Sequence, residues 1–205
     1  MLAKTATETT AKLSPMRHFD PVRVAHYETQ CWVVYYQKDW PALLRNLLGL
    51  IQSAFGLTLP QAARAAVFAT QAQVAFAPFP DNDVQKAIDH QRKFYELLLR
   101  VHAKYGESFD PAVVAELDVE WWVIHRQLFG RAENAPLITA IAELYAATYR
   151  VPAVSVMEAA QLRAEAMLYS DRWVQESRDP RHPLVPQVEA ALLRSYQMLK
   201  SVVGK

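Results

Sequence analysis

The sequence predicts an all-α protein, a single compact bundle of about eight helices built from two similar four-helix halves. Three observations support this prediction: a helical hydrophobic period along most of the chain, clear helix-start and helix-stop signals, and an internal repeat. No segment alternates convincingly at the two-residue period of a β-strand. Of the 205 residues, 52% are hydrophobic and 21% are charged, so the chain has enough apolar material for a substantial core.

Helix starts are marked by residues that can satisfy the free amides of a first turn. Asp20 and Asp110 each precede a proline, so the acid can cap the helix while the proline takes the first helical position, where its missing N–H costs nothing. Thr58 and Ser155 are each followed three residues later by Gln or Glu, which is the spacing of a capping box. Other prolines, aspartates and glycines mark the remaining starts and turns: Pro41, Pro136, Asp81, Asp83, Gly56, Gly106, Gly130, Pro78, Pro80 and Pro183. The predicted helices cover residues 21–38, 41–55, 60–77, 84–105, 111–129, 136–149, 156–177 and 184–203.

The first and fifth predicted helices are similar in sequence. FDPVRVAHYETQCWVVYYQ (19–37) and FDPAVVAELDVEWWVIHRQ (109–127) share eight of nineteen residues at an offset of 90, where average composition would give about one. The later helix-start signals correspond at offsets of 95 and 97, and small loop insertions would produce this slow increase. The last helix of each repeat carries a corresponding tyrosine, Tyr95 or Tyr196. We therefore expect two repeats, about 19–106 and about 109–203, packed around a pseudo-two-fold axis.

Each repeat places one carboxylate in the centre of its most apolar helix face. On a helical wheel, apolar residues flank Glu28 in the first helix and Asp118 in the fifth. Two turns further along the same faces lie Tyr35 and His125, while Glu120 falls on the opposite, polar side. A carboxylate buried in this way needs hydrogen bonds, a counter-charge or a proton.

Two interpretations of these acids remain open. In the functional interpretation, Glu28, Asp118, His125 and Tyr35 form a polar pocket between the repeats and act as acid, base and hydrogen-bonding groups. Glu28, Asp118 and His125 could also bind a divalent metal there. In the structural interpretation, each acid is paired with a buried tyrosine, a tryptophan N–H or an arginine such as Arg163.

Several function classes lack their sequence signatures. The chain has no phosphate loop, no dinucleotide-binding glycine pattern, no nucleophile elbow and no Glu-x-x-His of a di-metal carboxylate bundle. The net charge is +1 and the basic residues are scattered, which argues against nucleic-acid binding. A single cysteine, Cys31, rules out an internal disulfide, and we expect it to be a buried thiol.

The chain is expected to be a cytoplasmic protein with a disordered N-terminal arm over residues 1–18. The arm has no apolar stretch typical of a secretory signal, and the single cysteine fits a reducing compartment. Residues 46–63 lack charges but contain several polar residues, so two helices joined by a turn fit them better than a transmembrane segment. Residual apolar surface is compatible with a homo-oligomer. The predicted function is that of a small-molecule-binding protein or enzyme; the alternative is a non-enzymatic helical interaction or scaffold protein whose acids are structural.

Overall fold

The computed structural model describes residues 14–131 and 134–205, and all regular structure in these ranges is helical. Eight α-helices follow one another: α1 (Pro21–Tyr36), α2 (Trp40–Phe55), α3 (Leu59–Phe76), α4 (Val84–His102), α5 (Pro111–Leu128), α6 (Ala135–Tyr149), α7 (Ala153–Glu176) and α8 (Leu184–Val203). Short 3₁₀ turns cover Pro15–Arg17 and Ala103–Tyr105. The all-α prediction is confirmed, and every predicted helix boundary lies within three residues of the observed one.

Three of the predicted caps are confirmed at helix starts. The Asp20 carboxylate accepts from the backbone N–H groups of Val22 and Arg23, and Asp110 accepts from the N–H of Ala112. Thr58 and Gln61 form the predicted capping box at the start of α3. Each such cap satisfies amides that would otherwise be unpaired and stabilises its helix by about 1 kcal/mol.

The second predicted capping box is wrong. Helix α7 begins at Ala153, two residues before Ser155, so Ser155 lies inside the first turn. Its hydroxyl donates to the carbonyl of Pro152 at 2.6 Å. The serine side chain therefore bonds back to a carbonyl and cannot cap the helix amides.

The eight helices form a closed ring. Each helix packs against the next one in the chain, and α8 packs against α1. One continuous hydrophobic core contains residues from all eight helices. The first and fifth helices therefore lie on opposite sides of the ring, each with its apolar face turned inward.

The predicted boundary of the N-terminal arm is too late. Ser14 and Met16 are buried, and the Ser14 hydroxyl lies 3.3 Å from Nδ1 of His102. The Arg17 guanidinium forms two hydrogen bonds, of 2.7 and 2.9 Å, to the buried carboxylate of Glu107. Residues 14–18 thus belong to the folded domain, and the rest of the predicted arm, residues 1–13, lies outside the described residues.

No single helix in the described ranges is both long and apolar enough to cross a bilayer. The helices α2 and α3 meet that criterion only together, and they are bent by 120° at their junction. The junction contains Gly56 at φ 60°, a left-handed conformation that favours glycine. The prediction of two helices joined by a turn over residues 46–63 is confirmed.

Candidate functional site

A cavity of about 330 Å³ lies inside the ring and is lined by side chains from all eight helices. Its walls are mainly aromatic and aliphatic, with a few polar groups. The four residues singled out in the sequence, Glu28, Tyr35, Asp118 and His125, all line this cavity. A volume of this size and a lining of this kind are typical of small-molecule sites.

Glu28 in α1 is held by a cation and a phenol. Arg163 from α7 forms an ion pair with one carboxylate oxygen, and the hydroxyl of Tyr196 from α8 donates to the other. The guanidinium also donates to the hydroxyls of Tyr145 and Tyr196, both at 3.1 Å. Burial is the largest single effect and lowers the pKa of Arg163, but Glu28, Tyr145 and Tyr196 together outweigh it, so the pKa lies well above its ordinary value. Arg163 therefore stays charged inside the protein.

Asp118 in α5 is held by neutral donors. Gln91 Nε2 and the Tyr95 hydroxyl donate to Oδ2 at 2.5 and 2.9 Å, and Trp121 Nε1 donates to Oδ1 at 2.9 Å. Burial raises the pKa of Asp118. The hydrogen bonds from Trp121 and Tyr95 and the charge of Arg163 act in the opposite direction and only partly offset burial.

The two acid sites share one arrangement. In each, a tyrosine from the preceding helix of the ring donates to the acid: Tyr95 to Asp118 and Tyr196 to Glu28. The same two tyrosines pack edge-to-face against Phe109 and Phe19, with ring centroids 6.2 and 5.9 Å apart. Both acids thus have the tyrosine partner that the structural interpretation allowed, and both also line the cavity.

His125 is paired with a further buried acid, Asp171, that the sequence reasoning missed. Its Nε2 lies 2.9 Å from Oδ1 of Asp171 in α7, and Oδ2 of Asp171 accepts the backbone N–H of Gly130 at 2.9 Å. Asp171 is 1% exposed. It continues the apolar stripe of α7 four residues after Met167, so the rule that found Glu28 and Asp118 would also have found it.

Arg126 joins three helices beside His125. Its guanidinium donates to the carbonyl of Phe76 in α3 at 2.8 Å and to the hydroxyl of Tyr35 in α1 at 3.2 Å. It also stacks 3.9 Å from the centroid of the Phe76 ring. Burial raises the pKa of Tyr35, and the nearby charge of Arg126 partly offsets this effect. Tyr35 and His125 thus lie together at one end of the cavity, where Arg126 connects α5 with α1.

The predicted metal role has no ligand set among the described residues. Within 14–131 and 134–205, no group of three or more His, Cys, Asp and Glu side chains could hold a metal ion. Cys31 also lines the cavity, but burial and the charge of Glu28 raise the pKa of its thiol well above the ordinary value. A thiol with such a pKa is a poor nucleophile at neutral pH.

The site must be interpreted from its own chemistry. Two buried carboxylates, a His–Asp pair and an arginine surround a largely aromatic interior, an arrangement that can bind a small molecule and move a proton. No family model matches this chain, and neither a curated protein nor a solved structure is significantly similar to it.

Proposed function

We propose that this chain binds a small organic molecule in its central cavity. The observation that carries the proposal is a cavity of about 330 Å³ to which all eight helices contribute. An apolar cavity of about 150 Å³ is enough to bind benzene. The space here would therefore accommodate a larger planar molecule, with aromatic walls to pack against it and a few polar groups to orient it.

We further propose that the cavity lies between two duplicated halves. The offset of 90 between the first and fifth helices is supported by the repeated tyrosine–acid and phenylalanine–tyrosine contacts. Arg17 and Glu107 occupy equivalent positions at the same offset and bind each other, as residues near a two-fold axis do. On this proposal the axis passes through the Arg17–Glu107 pair and the cavity.

A second candidate function is a helical interaction or scaffold protein in which the acids are structural. The observation that favours it is that every carboxylate oxygen of Glu28 and Asp118 already has a partner within the protein. On this alternative, substituting either acid would chiefly lower stability, because its buried partner would be left unpaired.

The test of the proposed function is calorimetric titration with indole, a planar apolar probe. Ala69 in α3 lines the cavity, so Ala69→Leu would occupy part of the space. Ala63→Leu on the exposed side of the same helix is the matched control. We expect saturable indole binding to the unmodified chain and to the control, and loss of binding with Ala69→Leu.

Two further readouts separate the candidates. Native mass spectrometry would show a small molecule that purifies with the chain, and elemental analysis would show any metal. If indole binds to none of the three proteins, and the native mass equals that of the chain alone, the scaffold interpretation is the better one.

A further inference from the structure

The polar groups at the Tyr35–His125 end of the cavity suit a ligand that carries an acidic hydroxyl. We propose that the ligand is a weak organic acid with a planar apolar body, such as a phenol or an enol, and that His125 accepts its proton. This inference rests on the proposed function, because it assumes that the cavity takes a small molecule.

The orientation of His125 leaves one ring nitrogen available. Nε2 of His125 lies 2.9 Å from Oδ1 of Asp171, so we assign the ring proton to Nε2, which donates to that carboxylate oxygen. Nδ1 then has a free lone pair, and it forms no hydrogen bond with any residue in 14–131 or 134–205. The backbone N–H of Gly130 holds the other oxygen of Asp171. A histidine oriented by a buried carboxylate, with its second nitrogen free, is the arrangement of a proton acceptor.

Tyr35 and Arg126 provide the complementary donor. Because Arg126 donates to the oxygen of Tyr35, the hydroxyl proton of Tyr35 is free to point at a ligand. In the described part of the chain, no residue accepts that proton. The positive charge of Arg126 lies behind the hydroxyl, so the pair favours an oxygen that becomes negative.

Charge balance favours the proton transfer at this end of the cavity. The proton leaves the ligand hydroxyl, the electron pair stays on the ligand oxygen, and Nδ1 of His125 takes the proton. The imidazolium then lies beside Asp171, while the ligand anion lies beside Tyr35 and Arg126. The Tyr36 phenol in α1 lies near Asp171, Arg126 and Arg178, and the Phe76 ring in α3 stacks on Arg126. Each new charge therefore has an opposite charge next to it, which favours the transfer.

The part of the cavity around Glu28 and Asp118 disfavours an anion. Both oxygens of Glu28 are already occupied by Arg163 and Tyr196, and Asp118 has no bonded cation. A negative ligand group placed there would lie beside the Asp118 carboxylate, whose charge no bonded cation compensates. The apolar body of the ligand therefore fits the aromatic walls near Trp121, and its hydroxyl fits the Tyr35–His125 end.

The test uses two probes that differ by one hydroxyl, 4-nitrophenol and nitrobenzene. The ionised form of 4-nitrophenol absorbs at longer wavelength than the neutral form, so its spectrum reports proton transfer directly. At a pH where the free probe is mostly neutral, we expect the bound probe to be ionised. His125→Gln should retain nitrobenzene binding and lower the ionised fraction of bound 4-nitrophenol by roughly tenfold or more.

Matched variants keep the test informative. His26→Gln changes an exposed histidine of α1, 52% exposed, and should behave like the unmodified chain. Asp171→Asn tests the positioning residue, and Tyr35→Phe removes the donor; both should lower the ionised fraction of bound 4-nitrophenol by a larger factor than they change the affinity for nitrobenzene. If His125→Gln does not fold, ¹⁵N NMR of the unmodified chain still decides, because His125 should be protonated at Nε2 when free and at both nitrogens in the complex.

Two other outcomes are distinguishable. If both probes bind and 4-nitrophenol stays neutral in every variant, the cavity binds small molecules but the proton-acceptor assignment is wrong. If neither probe binds to the unmodified chain, the proposed function itself fails. A His125 protonated at Nδ1 in the free protein would also overturn the assignment.

Discussion

The two buried carboxylates, Glu28 and Asp118, are stabilised in different ways. Glu28 is neutralised by Arg163, whereas Asp118 receives only neutral hydrogen bonds. The shared part of the two sites is the tyrosine, Tyr196 or Tyr95. The comparison shows that a buried carboxylate on an inward helix face can be stabilised either by a counter-charge or by a full set of neutral hydrogen-bond donors.

On the proposed duplication, two residue differences account for the contrast. At its offsets, Arg163 corresponds to Ala66, and Trp121 corresponds to Cys31. Glu28 thus lacks a tryptophan donor and is paired with Arg163 from α7, whereas Asp118 has no bonded arginine and accepts from the indole N–H of Trp121. Arg163 forms an ion pair with Glu28 and also lies 5.2 Å from the centre of the Trp121 ring. The one cation is therefore bonded to the first acid and lies near the donor of the second.

The largest effect should come from removing that cation. Arg163→Met leaves the carboxylate of Glu28 buried without its counter-charge, which should lower the free energy of unfolding by about 3–5 kcal/mol. Adding Glu28→Gln should restore part of the loss, because no charge is then left unpaired. Urea unfolding of the two single variants and the double variant measures the coupling; additive losses would show that the ion pair does not bind as described.

The two tyrosines should differ in their contributions. Tyr196→Phe removes a hydroxyl that donates to Glu28 and accepts from Arg163, while Tyr95→Phe removes only the donor to Asp118. We expect losses of about 2–3 kcal/mol for the first and about 1–2 kcal/mol for the second. Equal losses in thermal or urea unfolding would mean that Arg163 contributes little to the difference between the two sites.

The stability contributed by Asp118 should depend on pH. Burial raises the pKa of Asp118 above its ordinary value of 3.8 in the folded state. Between the unfolded and folded values the folded protein binds more protons, so stability falls as pH rises through this window. Asp118→Asn removes the titrating group. The free energy of unfolding of the variant, relative to that of the unmodified chain, should therefore increase as pH rises from below 3.8. A difference that is constant with pH would contradict the raised pKa.

The smallest effects concern the two capping sequences. Thr58→Ala should cost about 1 kcal/mol, because Thr58 and Gln61 satisfy the first-turn amides of α3. Ser155→Ala should cost less than about 0.5 kcal/mol, since Ser155 bonds to a carbonyl within the first turn of α7. Thermal unfolding compares the two, and an equal cost would indicate that Ser155 does cap its helix.

The sequence was sufficient to predict the helices and the faces that they bury. Caps and hydrophobic period are local properties, which is why the boundaries agree within three residues. The failure at Ser155 shows the limit of this approach, because the helix begins at Ala153, directly after Pro152 and two residues before the serine that the capping-box spacing indicated. The burial of Met16 is a further example, since its short segment has no helical period of its own.

The sequence was sufficient to predict which helix faces contribute to the candidate site, but not which side chains bond to one another there. A helical wheel locates Glu28, Tyr35, Asp118 and His125 on inward faces, and all four line the cavity. It does not tell which side chain of another helix reaches them, so Arg163 was one option among several and Asp171 was overlooked. Those partners depend on how the ring closes, which is a property of all eight helices together.

The most direct test of the central claim, that the ring encloses a binding cavity, is a crystal structure of the chain with indole. We expect one indole inside the ring, in contact with Trp121 and Tyr95, with the hydrogen bonds of Asp118 preserved. A ring interior filled by repacked side chains, with indole absent or bound only at the outer surface, would contradict the claim.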